Sequence, residues 1–148
     1  MKLKRGHSLP DADHVVRYVP WTRLLRDEDD KVLGLLLQAF ELRDGESSLS
    51  VNWLEYFNSD KSTNLAECVK AFRRVYKCGT KSGYAVASVG NVKAVFVRKQ
   101  RAVRIVYEPS SNNKAHSAIH AKINDDLALL DELGGEFYKE FHFNSKFP

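Results

Sequence analysis

Seven polar residues of this chain have side chains that could transfer protons, attack a substrate or bind an anion. They are His14, Arg17, Ser50, Asn52, Glu55, Asn113 and His116. Histidine suits proton transfer at neutral pH, and arginine binds phosphate or carboxylate through two parallel hydrogen bonds. In a small enzyme acting on a nucleotide or another phosphate-containing substrate, His14 or His116 would be acid and base, Arg17 would hold the anion and Glu55 would orient or act as a base. This hypothesis requires His14, Glu55 and His116 to meet in one cleft.

The spacing of the candidate residues argues partly against the enzyme hypothesis and partly for it. If residues 14–18 (HVVRY) form a strand, His14 and Arg17 point to opposite faces unless the strand bulges or ends. Ser48-x-Ser50, after an arginine-bearing strand, resembles the Arg, Ser-x-Ser, Glu order of ADP-ribosyltransferases, which makes Ser50 a further candidate catalytic residue. The alternative is structural, with Ser50 capping a helix, Trp53 and Phe57 in the core and His116 satisfying a loop.

Three short motifs connect these residues. They are H-x-x-R at His14 and Arg17, L-S-V-N at Leu49–Asn52, and P-x-x-x-N-x-x-H-x-x-I at Pro109, Asn113, His116 and Ile119. On these motifs the chain resembles small bacterial proteins of uncharacterised function. The resemblance covers most of residues 14–120 and implies a prokaryotic, cytoplasmic origin, but it implies no activity and no catalytic role.

A metal site and a cofactor are not expected. His116 and His120 are four residues apart and could supply half of a zinc site on a helix face, but no glutamate follows the first histidine and nothing specifies two further ligands. Cys68 and Cys78 are ten residues apart and read as reduced cytosolic thiols. The glycines match neither a P-loop nor a dinucleotide-binding fingerprint.

The formal net charge of +4 conceals one strongly basic segment. Residues 61–107 contain eleven Lys and Arg against one acid, whereas residues 31–60 and 108–148 each sum to −3 and residues 1–30 to zero. If the basic side chains adjoin in space, they form a surface that attracts phosphate backbones. The candidates for this surface are Lys70, Arg73, Arg74, Lys77, Lys93, Arg98, Lys99, Arg101 and Arg104.

The leading hypothesis is therefore a small binding module that engages nucleic acid or a nucleotide through these basic residues. Binding to DNA or RNA would then weaken steeply with salt. A third hypothesis is a module that binds another protein, as an accessory of a toxin–antitoxin or phage-defence system. In a competing explanation of the charge, the acidic segments on either side neutralise the basic one internally.

Composition and periodicity predict an α+β fold, with a small mixed sheet and packed helices in a single domain over residues 14–148, after a flexible arm over residues 1–13. Apolar residues make up 43% of the chain, which excludes a disordered protein. Strands are predicted at His14–Tyr18, Tyr84–Val89 and Val103–Tyr107. Helices are predicted at Ser50–Phe57, at Asn64–Tyr76 and from Asn124 to an interruption or end at Gly134-Gly135. The segments Val32–Arg43 and Val92–Lys99 fit either a strand or a helix.

Interaction with a membrane is not expected. No window approaches the roughly 18 consecutive apolar residues that a membrane-spanning helix needs, and the basic N-terminus has no apolar region typical of a secretion signal. A cytoplasmic location is the resulting expectation.

Overall fold

Eight strands and three α-helices make up the part of the chain that the structure, a computed structural model, describes, residues 3–148. The strands are β1 His14–Val19, β2 Leu24–Arg26, β3 Val32–Leu35, β4 Ser48–Trp53, β5 Gly83–Ser88, β6 Arg104–Tyr107, β7 His116–His120 and β8 Phe141–Phe143. The helices are α1 Lys61–Val75, α2 Val89–Arg98 and α3 Leu127–Tyr138. Short 3-10 turns occur at Trp21–Arg23, Leu37–Phe40, Leu54–Phe57 and Asn144–Lys146.

Six of the strands form one sheet in the order β6-β7-β4-β1-β5-β8, and β2 and β3 form a separate hairpin. The expected α+β fold with packed helices is confirmed. The sheet differs from the expectation in one detail, because every described pair of neighbouring strands is antiparallel and the sheet is not mixed.

The helices cover the two faces of this sheet unequally, since successive side chains of a strand point to opposite faces. Val15 and Val19 of β1 belong to the larger core, which packs under α2 and α3. Val16 belongs to a smaller core with Leu65 and Phe72 of α1. Helix α1 therefore lies on one face of the sheet, and α2 and α3 lie on the other.

The predicted helix at Ser50–Phe57 is wrong, because Ser48–Trp53 is the central strand β4. Leu49 and Val51 are buried in the larger core, whereas the alternate residue Asn52 is buried on the α1 face, which is the period of a strand. Only residues 54–57 form a helical turn.

Three predicted helix boundaries also differ from the structure. Helix α3 starts at Leu127 rather than at Asn124, because Asp126 accepts a hydrogen bond from the Leu129 amide (3.0 Å) and caps the first turn. Helix α1 starts three residues earlier than predicted, because Asp60 accepts a hydrogen bond from the Thr63 amide (2.8 Å) and caps the first turn. Gly134 and Gly135 do not end α3. A methyl group on Gly134 would lie 3.7 Å from the Leu35 carbonyl oxygen, so the helix approaches β3 closely there and tertiary packing outweighs the low helix propensity of glycine.

The two ambiguous segments resolve differently. Val92–Lys99 belongs to α2 and its C-terminal cap, whereas Val32–Arg43 contains β3 and the 3-10 turn that buries Phe40.

Part of the segment predicted as a flexible arm packs against the sheet. The amides of Gly6 and Leu9 donate to the carbonyl oxygens of Tyr107 (2.7 Å) and Ile105 (2.9 Å), and Leu9 is buried. Residues 6–9 thus extend the sheet beyond β6, and residues 1 and 2 of the predicted arm lie outside the described residues. Among residues 3–148, no helix has the length and apolarity required to cross a bilayer.

Candidate functional site

The candidate site lies where strands β1 and β4 separate. Each strand has six residues, but they pair only at Val15 with Trp53 and at Val16 with Asn52. The next residue of β1, Arg17, places its side chain in the opening. Its Nη1 donates to the Ser50 carbonyl oxygen (2.7 Å) and its Nε to the Ala39 carbonyl oxygen (2.8 Å). The guanidinium therefore satisfies a strand carbonyl that the ladder leaves free.

A pocket of about 410 Å³ occupies this opening, and we call it the Arg17 pocket. Its lining includes three arginines, two serines and three aromatic residues: Arg17, Arg23, Arg43, Ser48, Ser50, Tyr18, Phe72 and Tyr76. The rings of Tyr18 and Tyr76 are stacked, with centroids 5.3 Å apart. The pocket thus combines cationic, hydroxyl and aromatic groups.

Arg17 is a partly buried charge of the pocket. Burial lowers the pKa of its guanidinium to about 10, with Tyr76 and Glu46 acting in the opposite direction, and the group remains positively charged at neutral pH. Both of its protein hydrogen bonds go to neutral carbonyl oxygens, and it forms no ion pair within residues 3–148. Glu41, Asp44 and Glu46 also line the pocket, but they lie on an exposed loop where water screens their charge.

A serine–histidine pair adjoins the pocket through Ser50. His116 Nδ1 lies 2.7 Å from the Glu108 carbonyl oxygen, and Nε2 lies 3.2 Å from Ser50 Oγ. Because a carbonyl oxygen only accepts, Nδ1 carries a proton, which leaves Nε2 of the neutral ring to accept the hydrogen bond of the Ser50 hydroxyl. A nucleophilic serine is activated by a hydrogen bond to an adjacent base, and the contact between Ser50 and His116 has that geometry.

His14 and Glu55 form a separate pair. His14 Nδ1 lies 2.7 Å from Glu55 Oε2, and the His14 amide donates to Glu55 Oε1 (2.7 Å). Neither residue lines the Arg17 pocket or bonds to His116. The cluster of His14, Glu55 and His116 that the enzyme hypothesis requires is therefore not formed, and His14 and Arg17 point to opposite faces of β1. Glu55 also does not join Arg17 and Ser50 in the arrangement that the ADP-ribosyltransferase order would need.

Two buried asparagines fix the loop that leads into β7, whose first residue is His116. Asn113 Nδ2 donates to Asn52 Oδ1 (2.7 Å), and Asn52 Nδ2 lies 3.5 Å from the Cys68 carbonyl oxygen. Asn113 is 4% exposed, and its Oδ1 has no partner among the described residues. Burial raises the pKa of the Cys68 thiol well above its ordinary value, so this cysteine stays protonated and is a packing residue.

The basic segment does not form one continuous surface. Residues 70–77 belong to α1 and its exit, whereas residues 93–101 belong to α2 and the turn after it, on the opposite face of the sheet. Arg104 lies on β6. The nine candidate residues are therefore distributed over separate parts of the molecule.

Acidic residues neutralise most of these cations. Five of the nine form ion pairs: Lys70 with Glu67, Lys93 with Asp11, Arg98 and Lys99 with Glu132, and Arg101 with Asp125. Arg73 instead holds the C-terminal residues, donating from Nη2 to Asn144 Oδ1 and to the Phe147 carbonyl oxygen (both 2.8 Å). Arg74, Lys77 and Arg104 form no ion pair within residues 3–148.

His116 and His120 lie on one face of β7 rather than on a helix, and both bond to Glu108. His120 Nε2 pairs with the Glu108 carboxylate, whereas His116 Nδ1 bonds to the backbone carbonyl oxygen of the same residue. The two imidazole rings therefore use different protein partners and do not face a common metal ion. Among residues 3–148 there is no group of three or more histidine, cysteine or carboxylate side chains arranged to hold a metal ion.

The sequence pattern did not reveal Arg23, Arg43 or Tyr18 as parts of a site. Its signals for this pocket were Arg17, a single cation among β-branched and aromatic residues of a strand, Ser50, and Tyr76 as a candidate stacking surface. Comparison of the chain with protein-family models, with curated proteins and with solved structures gives no match, so function rests on the geometry of the site.

Proposed function

We propose that this protein binds a small phosphate-bearing ligand of nucleotide size in the Arg17 pocket. The observation that carries the proposal is the partly buried guanidinium of Arg17, which has no carboxylate partner within residues 3–148. A cation partly removed from water without a counter-ion is costly, and an anionic ligand would offset that cost. The Nη2 group of Arg17 donates to no protein acceptor in the same residues, so it is available to such a ligand.

The other lining groups favour a nucleotide over a simple carboxylate. Arg23 adds a second guanidinium group, and the stacked rings of Tyr18 and Tyr76 offer an aromatic surface to a base. The volume of about 410 Å³ lies in the range of small-ligand sites. A nucleic-acid polymer is less well supported, because five of the nine basic candidates are paired with carboxylates.

The test compares thymidine monophosphate (TMP) and AMP with thymidine and adenosine by isothermal titration calorimetry. We expect each nucleotide to bind at least about 10-fold more tightly than its nucleoside, because charge-assisted hydrogen bonds contribute about 1.5–3 kcal/mol. Equal affinities for nucleotide and nucleoside would contradict the proposal. It would also be contradicted if single-stranded DNA bound with a steep salt dependence while the nucleotides did not bind.

A cytoplasmic, bacterial setting is part of this proposal. The support for the cytoplasm is the pair of free cysteines, Cys68 and Cys78, since reduced thiols are typical of that compartment.

A further inference from the structure

We infer that Ser50 is a nucleophile and His116 its general base, and that together they cleave a phosphate ester of the ligand held by Arg17. The inference rests on the proposed function, because Arg17 must first bind the phosphate. It assigns a reaction to the same pocket.

The hydrogen bonds of His116 prepare it to accept a proton. The Glu108 carbonyl oxygen accepts from Nδ1 (2.7 Å), which directs the lone pair of Nε2 toward Ser50 Oγ (3.2 Å). A base whose second nitrogen is held by an acceptor is the arrangement that orients a catalytic histidine. Here a backbone carbonyl replaces the carboxylate of the familiar triads.

The start of β7, where His116 lies, and the loop before it are held from several directions. The Glu108 amide donates back to the His116 carbonyl oxygen (3.1 Å), and the Tyr107 hydroxyl donates to the Lys114 carbonyl oxygen (2.8 Å). Below the loop, Asn113 bonds to Asn52 of β4, the strand that also carries Ser50. The imidazole is thus positioned by regular structure, as general base catalysis requires.

Ser50 connects the base to the anion-binding group. Its carbonyl oxygen accepts from Arg17 Nη1 (2.7 Å), its hydroxyl contacts His116, and the residue lines the Arg17 pocket. Because Arg17 and Ser50 both line the Arg17 pocket, we place a phosphate held by Arg17 beside the serine. Arginine also stabilises the charge that develops on phosphoryl oxygens in the transition state.

The reaction would proceed in two displacements at phosphorus. In the first, the bond from Ser50 Oγ to phosphorus forms as the bond to the leaving oxygen breaks. The Oγ proton passes to His116 Nε2 and then to the leaving group. In the second, water attacks phosphorus and gives a proton to His116, the serine–phosphorus bond breaks, and Ser50 recovers its proton. The net change is hydrolysis of one phosphate ester by one water molecule.

The test uses the full chain and the para-nitrophenyl diester of TMP. Released para-nitrophenolate measures turnover, and intact-protein mass spectrometry after an acid quench detects a thymidylyl group on Ser50. The variants are Ser50→Ala and His116→Gln. Their matched controls are Ser62→Ala and His7→Gln, at exposed positions outside the site.

We expect His116→Gln to lower kcat at least about 100-fold and Ser50→Ala to abolish the adduct, while both controls keep the wild-type rate. TMP, the product, should bind to Ser50→Ala within about threefold of wild type, which also shows that the variant is folded. If TMP binds to the wild type but neither turnover nor adduct is observed, the inference is wrong and the proposed function stands. Turnover that persists in Ser50→Ala would also overturn it, and absence of TMP binding would overturn the proposed function itself.

Discussion

Arg17→Met is expected to lower the affinity of the protein for TMP by about 30-fold or more. The substitution preserves most of the side-chain length but removes the cation and the free Nη2 donor of the pocket. Hydrogen bonds between a charged group and a phosphate contribute about 1.5–3 kcal/mol, and each 1.4 kcal/mol is a factor of ten in affinity. Isothermal titration calorimetry of the variant measures the loss.

The matched control is Arg26→Met, which removes the same charge from a guanidinium that lies over the Trp21 ring outside the pocket. Its TMP affinity should equal that of the wild type. Arg17→Lys should be intermediate, because lysine keeps the charge but lacks the fork that binds phosphate oxygens in pairs. Wild-type affinity in a folded Arg17→Met protein would show that the ligand does not use this group.

Asn52→Ala and Asn113→Ala are each expected to lower the free energy of unfolding by about 2 kcal/mol. Each substitution leaves the other asparagine buried with an unsatisfied polar group, and such a group costs about 1–3 kcal/mol. Urea denaturation followed by circular dichroism measures the change, and exposed Asn91→Ala is the control.

The double variant separates the hydrogen bond from other effects of truncation. Because it leaves neither asparagine behind, it should be less destabilised than the sum of the single variants, with a coupling of about 1 kcal/mol. Strict additivity would contradict the structural role of the pair. In the single variants we also expect slower cleavage of the TMP diester, since Asn113 holds the loop that positions His116.

The strands that were predicted correctly have a clear local signal. In β1 and β6, runs of β-branched and aromatic residues favour extended structure locally. The local signal in β4 predicts a helix instead of a strand, because Ser50 resembles a helix cap and Trp53, Leu54 and Phe57 have helical spacing. Its pairing with β1 and β7 decides the conformation, and those partners are distant in sequence.

The site was predictable as a set of residues but not as a set of contacts. The motif residues do meet, in pairs that the sequence could not specify: Asn52 with Asn113, Ser50 with His116, and Arg17 with the Ser50 carbonyl oxygen. The pocket exists because the β1–β4 ladder stops after two pairs, which is a tertiary property. The charge of the basic segment was visible in the sequence, but its division between two faces of the sheet depends on where α1 and α2 pack.

Binding at Arg17 is the central claim, and proton–nitrogen correlation NMR of the protein titrated with TMP tests it most directly. We predict that the resonances of Arg17, including its side-chain Nε–H, and the amides of Ser50 and Tyr76 shift on addition of TMP and remain in place on addition of thymidine. Shifts confined to Arg74, Lys77 and Arg104, or identical shifts with thymidine, would contradict the account.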